Sequence, residues 1–249
     1  MQATATAQPD VLADLLYPRK WAQSFEARIA REAILTVGFA GFVALCAQIV
    51  VRLSFTTVPI TGQTFAVLVT GGALGAWRGA GALTIYMVAG FFMPVLAPAA
   101  PSALVKTSSV HFILPWSGVH AFPWDITSGG YIVGFILAAF IVGWFAQKGW
   151  DRKPGLPVVS GMLLSNALLY VPGLLWLGYL ISSGWVHPVA QKPLADLITY
   201  PGGGAINGSV EKTMVGGLYP FILGDLIKLG LAALVLPGAW GLVQRFRKG

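Results

Sequence analysis

The sequence predicts an all-α integral membrane protein built as a bundle of six transmembrane helices. Of its 249 residues, 56% are hydrophobic and only 10% are charged, whereas a soluble domain carries about 25% charged residues. Polar breaks divide the apolar residues into six segments. The 31 Gly, 16 Pro and nine Trp also fit a membrane protein, because spans tolerate Gly and Pro and because Trp collects at membrane interfaces.

The six segments are close to the length that crosses a bilayer. An α-helix rises about 1.5 Å per residue, so about 20 residues cross a hydrocarbon core of about 30 Å. The second segment is short, and Pro172-Gly173 interrupts the fifth. The predicted spans are residues 33–51, 63–77, 79–96, 128–147, 156–181 and 218–243.

These spans divide the chain into a membrane domain and two end segments. Residues 1–31 are predicted to form a cytoplasmic N-terminal segment, residues 32–244 the six-helix membrane domain, and residues 245–249 a cytoplasmic tail. An even number of spans places both termini on the same side of the membrane.

The basic residues indicate which side that is. Eleven Lys and Arg lie on the side of the termini and four on the other, with Lys228 inside the sixth span. Because an excess of Lys and Arg marks the cytoplasmic side, both termini are predicted in the cytoplasm and the long loops 97–127 and 182–215 outside. The net charge of +7 does not indicate a nucleic-acid partner, since the basic residues are scattered and no binding motif is present.

Asp225 and Lys228 are two charges inside an otherwise apolar span. On a helix, positions i and i+3 share a face, so both side chains can project into the bundle interior. Each charge at mid-membrane costs roughly 2.5–3.5 kcal/mol. The pair either only locks helix packing or forms a polar ligand site reached from outside. The second interpretation is favoured, because ionisable residues within membrane spans usually mark functional sites.

Other polar residues lie close enough to belong to the same site. Gln63 begins the second span, Tyr131 follows Gly130 at the start of the fourth, and Asn166 and Tyr170 lie one helical turn apart on the fifth. They are candidate substrate-binding residues. Hydrogen bonding between helices is the alternative role, since polar residues often serve it within bundles.

Small residues on the first span form a different pattern. Ala40 and Ala44 give the spacing A-x-x-x-A, which lets helices approach closely. The pattern fits either contact with a partner subunit or ordinary packing within the bundle.

The sequence contains no recognised catalytic motif. It has no H-E-x-x-H, no G-x-S-x-G and no Walker A phosphate loop. No cofactor or metal site is predicted, and any nucleotide hydrolysis would need another subunit. An intramembrane enzyme that uses Asp225 as acid or base is a weak alternative, because no second carboxylate or activated nucleophile accompanies it.

Four stretches together resemble a known family. They are "TVPITGQTFAVLVTGGALGAWRGAGALTIYMVAG", "SGGYIVGFILAAFIVGW", "SNALLYVPGLLWL" and "PFILGDLIKLGLAAL". In this order they are similar to the biotin-specific substrate-capture subunit, or S component, of energy-coupling factor (ECF) transporters. The resemblance covers most of residues 33–243, and its sharpest part is the G-D-x-x-K pattern of the sixth span.

The resemblance implies a six-helix bundle of the ECF S-component type that captures biotin from outside. The implied partners are a transmembrane coupling subunit and two cytoplasmic ATPases. The vitamin would contact Asp225 and Lys228, and the motifs place Gly130, Tyr131, Asn166 and Tyr170 near it. The coupling subunit would dock on Ala40 and Ala44. An S component for another small vitamin is the main alternative.

The chain departs from the family pattern in its two outer loops. The connections 97–127 and 182–215 are longer than the family usually has, and they are predicted to lie where they could cover the site.

Overall fold

The computed structural model describes residues 11–18, 21–98 and 108–246. The predictions for the rest of the N-terminal segment, of the first long loop and of the C-terminal tail lie outside these residues. The described chain is mainly helical. Its helices are α1 (Leu12–Leu16), α2 (Phe25–Ala47), α3 (Gln63–Leu74), α4 (Ala76–Phe92), α5 (Gly129–Gln147), α6 (Leu156–Ser182), α7 (Ser209–Gly217) and α8 (Ile222–Phe246).

Short antiparallel strands lie at the end of the bundle where α3 begins, which we call the sheet end. Strand β1 (Val50–Arg52) lies between β2 (Ile60–Thr61) and β3 (Ser109–His111). Strand β4 (Val186–His187) pairs with β5 (Lys192–Pro193) after the end of α6.

Four stretches of the described residues are long and apolar enough to cross a membrane. They are α2, α5, α6 and the stretch Ser209–Arg245, which combines α7 with α8. Helix α3 is apolar but has 12 residues, and α4 has 17. The chain is therefore a multi-pass helical membrane protein. That all six predicted spans cross the membrane stays a prediction.

Helix α2 is shifted relative to the predicted first span, 33–51. It begins at Phe25, because Ser24 caps it: the Ser24 Oγ accepts a hydrogen bond from the Ala27 amide at 3.1 Å. It ends at Ala47, so the last residues of the predicted span form a turn and strand β1.

Other boundaries also differ from the sequence prediction. The helix of the predicted third span, 79–96, ends at Phe92, because Met93 takes an extended backbone ahead of Pro94. Residues 209–217, predicted to be mostly loop, form α7. Its first turn contains Glu211, where the helix dipole favours a carboxylate.

Helix α3 is the centre of the bundle. Eleven of its 12 residues are buried, and it packs against α2, α4, α5 and α8. A Cβ at Gly71 would lie 2.4 Å from the Ala139 carbonyl oxygen and from the Val142 Cγ1. The backbones of α3 and α5 therefore approach as closely as they do only because Gly71 has no side chain.

A buried ion-pair network holds α1 at the opposite end of the bundle. One Asp14 oxygen lies 2.7 Å from the Arg31 Nη2, and the other lies 2.8 Å from the Arg78 Nη2. The Arg31 Nε also donates to the Tyr17 carbonyl at 2.8 Å. One carboxylate thus ties the short helix α1 to both α2 and α4.

We predict that Gly71→Ala destabilises the protein by about 1–3 kcal/mol, because the added methyl group forces α3 away from α5. Thermal unfolding in detergent measures the change as a lower Tm. Gly81→Ala on α4 is the control, since a Cβ there meets no atom within 4 Å. Equal losses of Tm in the two variants would contradict the close contact.

Candidate ligand site

A cavity opens at the sheet end, between the first turns of α3, α5 and α8 and the second half of α6. The space between its walls is about 1000 Å³ when the part open to solvent is included. The structure brings five of the seven predicted substrate-binding residues to its wall, namely Gln63, Tyr131, Tyr170, Asp225 and Lys228.

Apolar side chains supply much of the remaining wall, and they include Ile132, Phe135, Leu169 and Phe221. A concave, largely apolar space with a few polar groups in fixed positions is the usual composition of a small-molecule site. Among the described residues, no group of three or more His, Cys, Asp or Glu is placed to hold a metal ion.

Asp225 is the most highly connected polar residue of the cavity. Its side chain is buried, with 4% exposed. The Oδ1 atom accepts from the Thr64 Oγ1 at 2.9 Å and from the Lys228 Nζ at 2.9 Å. The Oδ2 atom accepts from the Tyr170 hydroxyl at 2.6 Å. A carboxylate offers about four lone-pair positions, so one remains for a ligand.

Lys228 neutralises this carboxylate and keeps donors to spare. An ammonium group has three N–H donors, and the structure gives one of them to Asp225. The side chain is 16% exposed and lines the cavity. The sequence prediction that the two charges share a face is therefore correct, and the pair presents one acceptor and further donors.

Two tyrosines form an aromatic corner of the cavity. The rings of Tyr131 and Tyr170 meet edge to face, with centroids 5.9 Å apart and planes at 89°. The Tyr131 hydroxyl donates to the Gly217 carbonyl at 2.7 Å. Both hydroxyls are therefore engaged within the protein, and the rings offer apolar surface to a ligand.

Gln63 is held by partners of its own. Its Nε2 donates to the Tyr86 hydroxyl at 2.8 Å, and its Oε1 accepts from the Thr61 hydroxyl at 2.9 Å. The amide orientation is thereby set. Gln63 shapes the wall at the first turn of α3.

Gly130 and Asn166, the other two predicted binding residues, do not line the cavity. A Cβ at Gly130 would lie 2.3 Å from the Pro172 carbonyl oxygen, so this glycine serves the close contact of α5 with α6. Asn166 is buried, and its Oδ1 has no hydrogen-bond partner. A role for either residue in contacting substrate stays a prediction.

Ala40 and Ala44, predicted to dock a partner, lie inside the bundle. Both are buried in the hydrophobic core, with 6% and 7% exposed. Their small side chains pack within this chain, and docking of a partner on these two residues stays a prediction. The spacing A-x-x-x-A defines a helix face but not what covers it.

Three residues that the sequence analysis did not assign to the site also line the cavity: Thr57, Thr64 and His187. The Thr57 Oγ1 is buried and has no partner. Thr64 directly follows Gln63 in the "GQT" stretch, and this adjacency could have identified it as a residue of the site. His187 comes from the extended loop 182–215, which no motif covered.

Comparison with known proteins identifies the family. The family model of the BioY family matches residues 18–122 and 116–245. The chain belongs to the BioY family. The match includes every residue of α2, α3 and α4 as well as α5, α6 and α7.

Curated relatives carry the same family name. The probable biotin transporter BioY of Methanothermobacter thermautotrophicus is 37% identical over 109 residues, which are 43% of this chain and 57% of that protein. The biotin transporter BioY of Rhizobium etli is 26% identical over 213 residues, or 82% of this chain and 90% of that protein. The biotin transporter BioY of Thermotoga maritima is 27% identical over 183 residues, covering 72% and 78%.

A solved structure shares the fold of this BioY-family chain. It is the S-component for biotin from an ECF-type ABC transporter, and the match has a TM-score of 0.57 and 19% identity. The superposition covers 92% of this chain and 96% of that one. At this identity the likeness shows a common architecture.

We predict that Tyr170→Phe destabilises the protein by about 1.5–3 kcal/mol, the usual contribution of a hydrogen bond to a charged group. The variant removes one donor from the buried Asp225 carboxylate. Thermal unfolding in detergent measures the loss. Tyr179→Phe on the same helix is the control, because Tyr179 is 60% exposed; equal Tm values for both variants would contradict the prediction.

Proposed function

We propose that this BioY-family protein captures biotin outside the cell and serves as the substrate-binding S component of an ECF-type ABC transporter. Two of the relatives are named biotin transporters, and the solved structure of the same fold is the S-component for biotin. The observation that carries the proposal is the Asp225–Lys228 pair at the wall of a largely apolar cavity.

The chemistry of biotin matches this site. Biotin has a cyclic urea with two N–H donors and a carbonyl, a thioether ring and an aliphatic tail that ends in a carboxylate. The free lone pair of Asp225 accepts a urea N–H, and Lys228 donates to a biotin oxygen. Such charge-assisted hydrogen bonds are about twice as strong as neutral ones. The ring and tail fit against Phe135, Leu169 and Phe221.

We propose that the Asp225–Lys228 pair contacts the ureido end of biotin. Asp225 is an acceptor with a single lone pair left, and only the ureido group brings N–H donors. Lys228 contacting the biotin carboxylate is the alternative. Biotin methyl ester keeps the urea and loses the negative charge, so its competition with biotin for the wild-type protein separates the two assignments.

We infer the protein's place in the cell from its charge distribution. The excess of basic residues on the side of the termini supports both termini lying in the cytoplasm, so that the cavity opens outward from the cytoplasmic membrane. A transmembrane coupling subunit and cytoplasmic ATPase subunits supply the energy, and this chain, embedded in lipid, is a transporter subunit that needs no cofactor and is not an enzyme.

Biotin-binding calorimetry on the purified protein in detergent tests the proposal. Wild type should bind biotin saturably, and Asp225→Asn and Lys228→Met should each weaken binding by about 10- to 100-fold, because each removes a charge-assisted hydrogen bond. Lys212→Met is the control, since Lys212 lies on α7 away from the cavity wall. Wild-type affinity in both site variants would refute the site assignment.

Competing ligands separate the alternatives. An S component for another vitamin predicts that thiamine or riboflavin displaces or replaces biotin. An intramembrane enzyme predicts chemically altered biotin after incubation with the protein. Neither outcome is expected.

Docking of the coupling subunit is proposed for the exposed face of α2. Gly38 and Gly41 lie on this face, and a Cβ at either position would meet no atom of this chain within 4 Å. A smooth face of this kind allows another helix to approach closely. Ala40 and Ala44 lie on the same helix and pack in the core, and their part in docking stays a prediction.

Gly41→Leu should therefore reduce co-purification of the coupling subunit with this protein from membranes in which both are expressed. Biotin binding should be unchanged, because α2 does not line the cavity. Gly230→Leu on α8 is the matched control, since that glycine is also open on its surface. Equal recovery with the two variants would argue against this face.

A further inference from the structure

The segment between α6 and α7 contains a hairpin that reaches the cavity. In it, Val186 pairs with Pro193 and His187 with Lys192. The turn is closed by the Gln191 amide, which donates to the His187 carbonyl at 2.8 Å. His187, Pro188 and Val189 line the same cavity as Asp225 and Lys228. One wall of the cavity is thus a short hairpin rather than a membrane helix.

The His187 side chain holds this turn from within. It is buried, with 7% exposed, and its Nδ1 accepts from the amides of Val189 at 3.2 Å and Ala190 at 3.3 Å. An imidazole nitrogen accepts hydrogen bonds only when it carries no proton. The two amides therefore specify a neutral ring with its proton on Nε2, and they tie the residues of the wall to that ring.

The surroundings of His187 also favour the neutral ring. The Trp185 ring packs edge-on against it, with centroids 5.6 Å apart. Burial lowers the pKa of His187 below its ordinary value of 6.5, because a buried imidazolium loses hydration. The ordered turn is therefore favoured fully above pH 6.5, and this advantage declines as the pH falls from there through the lowered pKa.

The charged and titratable groups around His187 come from several elements. Lys192 is its pairing partner on β5, and Asp196 follows in the next short turn; both are exposed. Further titratable groups line the same cavity on the helices and on the loop before α5. They are Asp125, Tyr131, Tyr170, Asp225 and Lys228.

We propose that His187 is a positioning residue that fastens the 187–191 turn as a wall of the biotin cavity, and that protonation of its ring releases this wall and weakens binding. The inference rests on the proposed function, since the ligand is biotin. A protonated Nδ1 would be a donor facing two amide donors, so both hydrogen bonds to it would be lost. Mild acid would then loosen the hairpin before it affects the helices.

Two substitutions separate this role from a general loss of structure. His187→Asn keeps an acceptor oxygen near the position of Nδ1 but does not titrate, whereas His187→Phe keeps a ring of similar bulk without any acceptor. Calorimetry with biotin at pH 7.5 and at pH 5.0 is performed on both variants and on wild type.

We expect His187→Asn to bind within about twofold of wild type at pH 7.5 and His187→Phe to bind about tenfold more weakly, as the loss of the two hydrogen bonds implies. Between pH 7.5 and pH 5.0, wild type should lose about tenfold more affinity than His187→Asn. Any pH effect on biotin itself is common to both proteins and cancels in this comparison.

Hydrogen exchange without ligand gives a second readout. At pH 5.0 the amides of Val189 and Ala190 should exchange faster in wild type than in His187→Asn. Wild-type affinity in His187→Phe, or identical pH profiles for wild type and His187→Asn, would overturn the role of His187 while leaving biotin binding intact. If wild type shows no saturable biotin binding, the proposed function is refuted, and this inference with it.

Discussion

The buried carboxylate of Asp225 joins three helices of the bundle. It accepts hydrogen bonds from Thr64 of α3, Tyr170 of α6 and Lys228 of its own helix α8. A buried charge without partners costs several kcal/mol, so the loss of any of these donors would destabilise the protein. The hydrogen bonds therefore fix the three helices with respect to one another. The polar corner of the cavity is therefore organised before any ligand arrives.

Close helix contacts surround this polar centre. Glycines at Gly71 and Gly130 bring α5 against α3 and α6 at distances that a side chain would prevent. From α5, Tyr131 reaches across to the carbonyl of Gly217 at the end of α7. The cavity combines apolar surfaces with the fixed polar groups of Asp225 and Lys228, which favours ligands with a small polar group on an apolar body.

The sequence predicted where a side chain lies when the apolar surroundings allow only one placement. It could not do so when several placements are equally favourable. A charged pair at i and i+3 within an apolar span must face the interior, so the site on α8 was predictable. Ala40 and Ala44 could have faced either the core or a partner, because small residues serve both contacts equally well. Thr64 carries no charge that would distinguish it from a packing residue. His187 lies in a hairpin whose shape depends on local hydrogen bonds, and no helical period describes it.

Helix α3 is shorter than the hydrocarbon core of a bilayer is thick. Its 12 residues extend about 18 Å, whereas the hydrocarbon core of a bilayer is about 30 Å thick. The neighbouring helices α2, α5, α6 and α8 are longer, and the cavity lies where α3 begins, beside its first residues Gln63 and Thr64. A solute bound beside Asp225 therefore lies at the end of a short helix and between longer ones, where its apolar part can pack against Phe135 and Leu169.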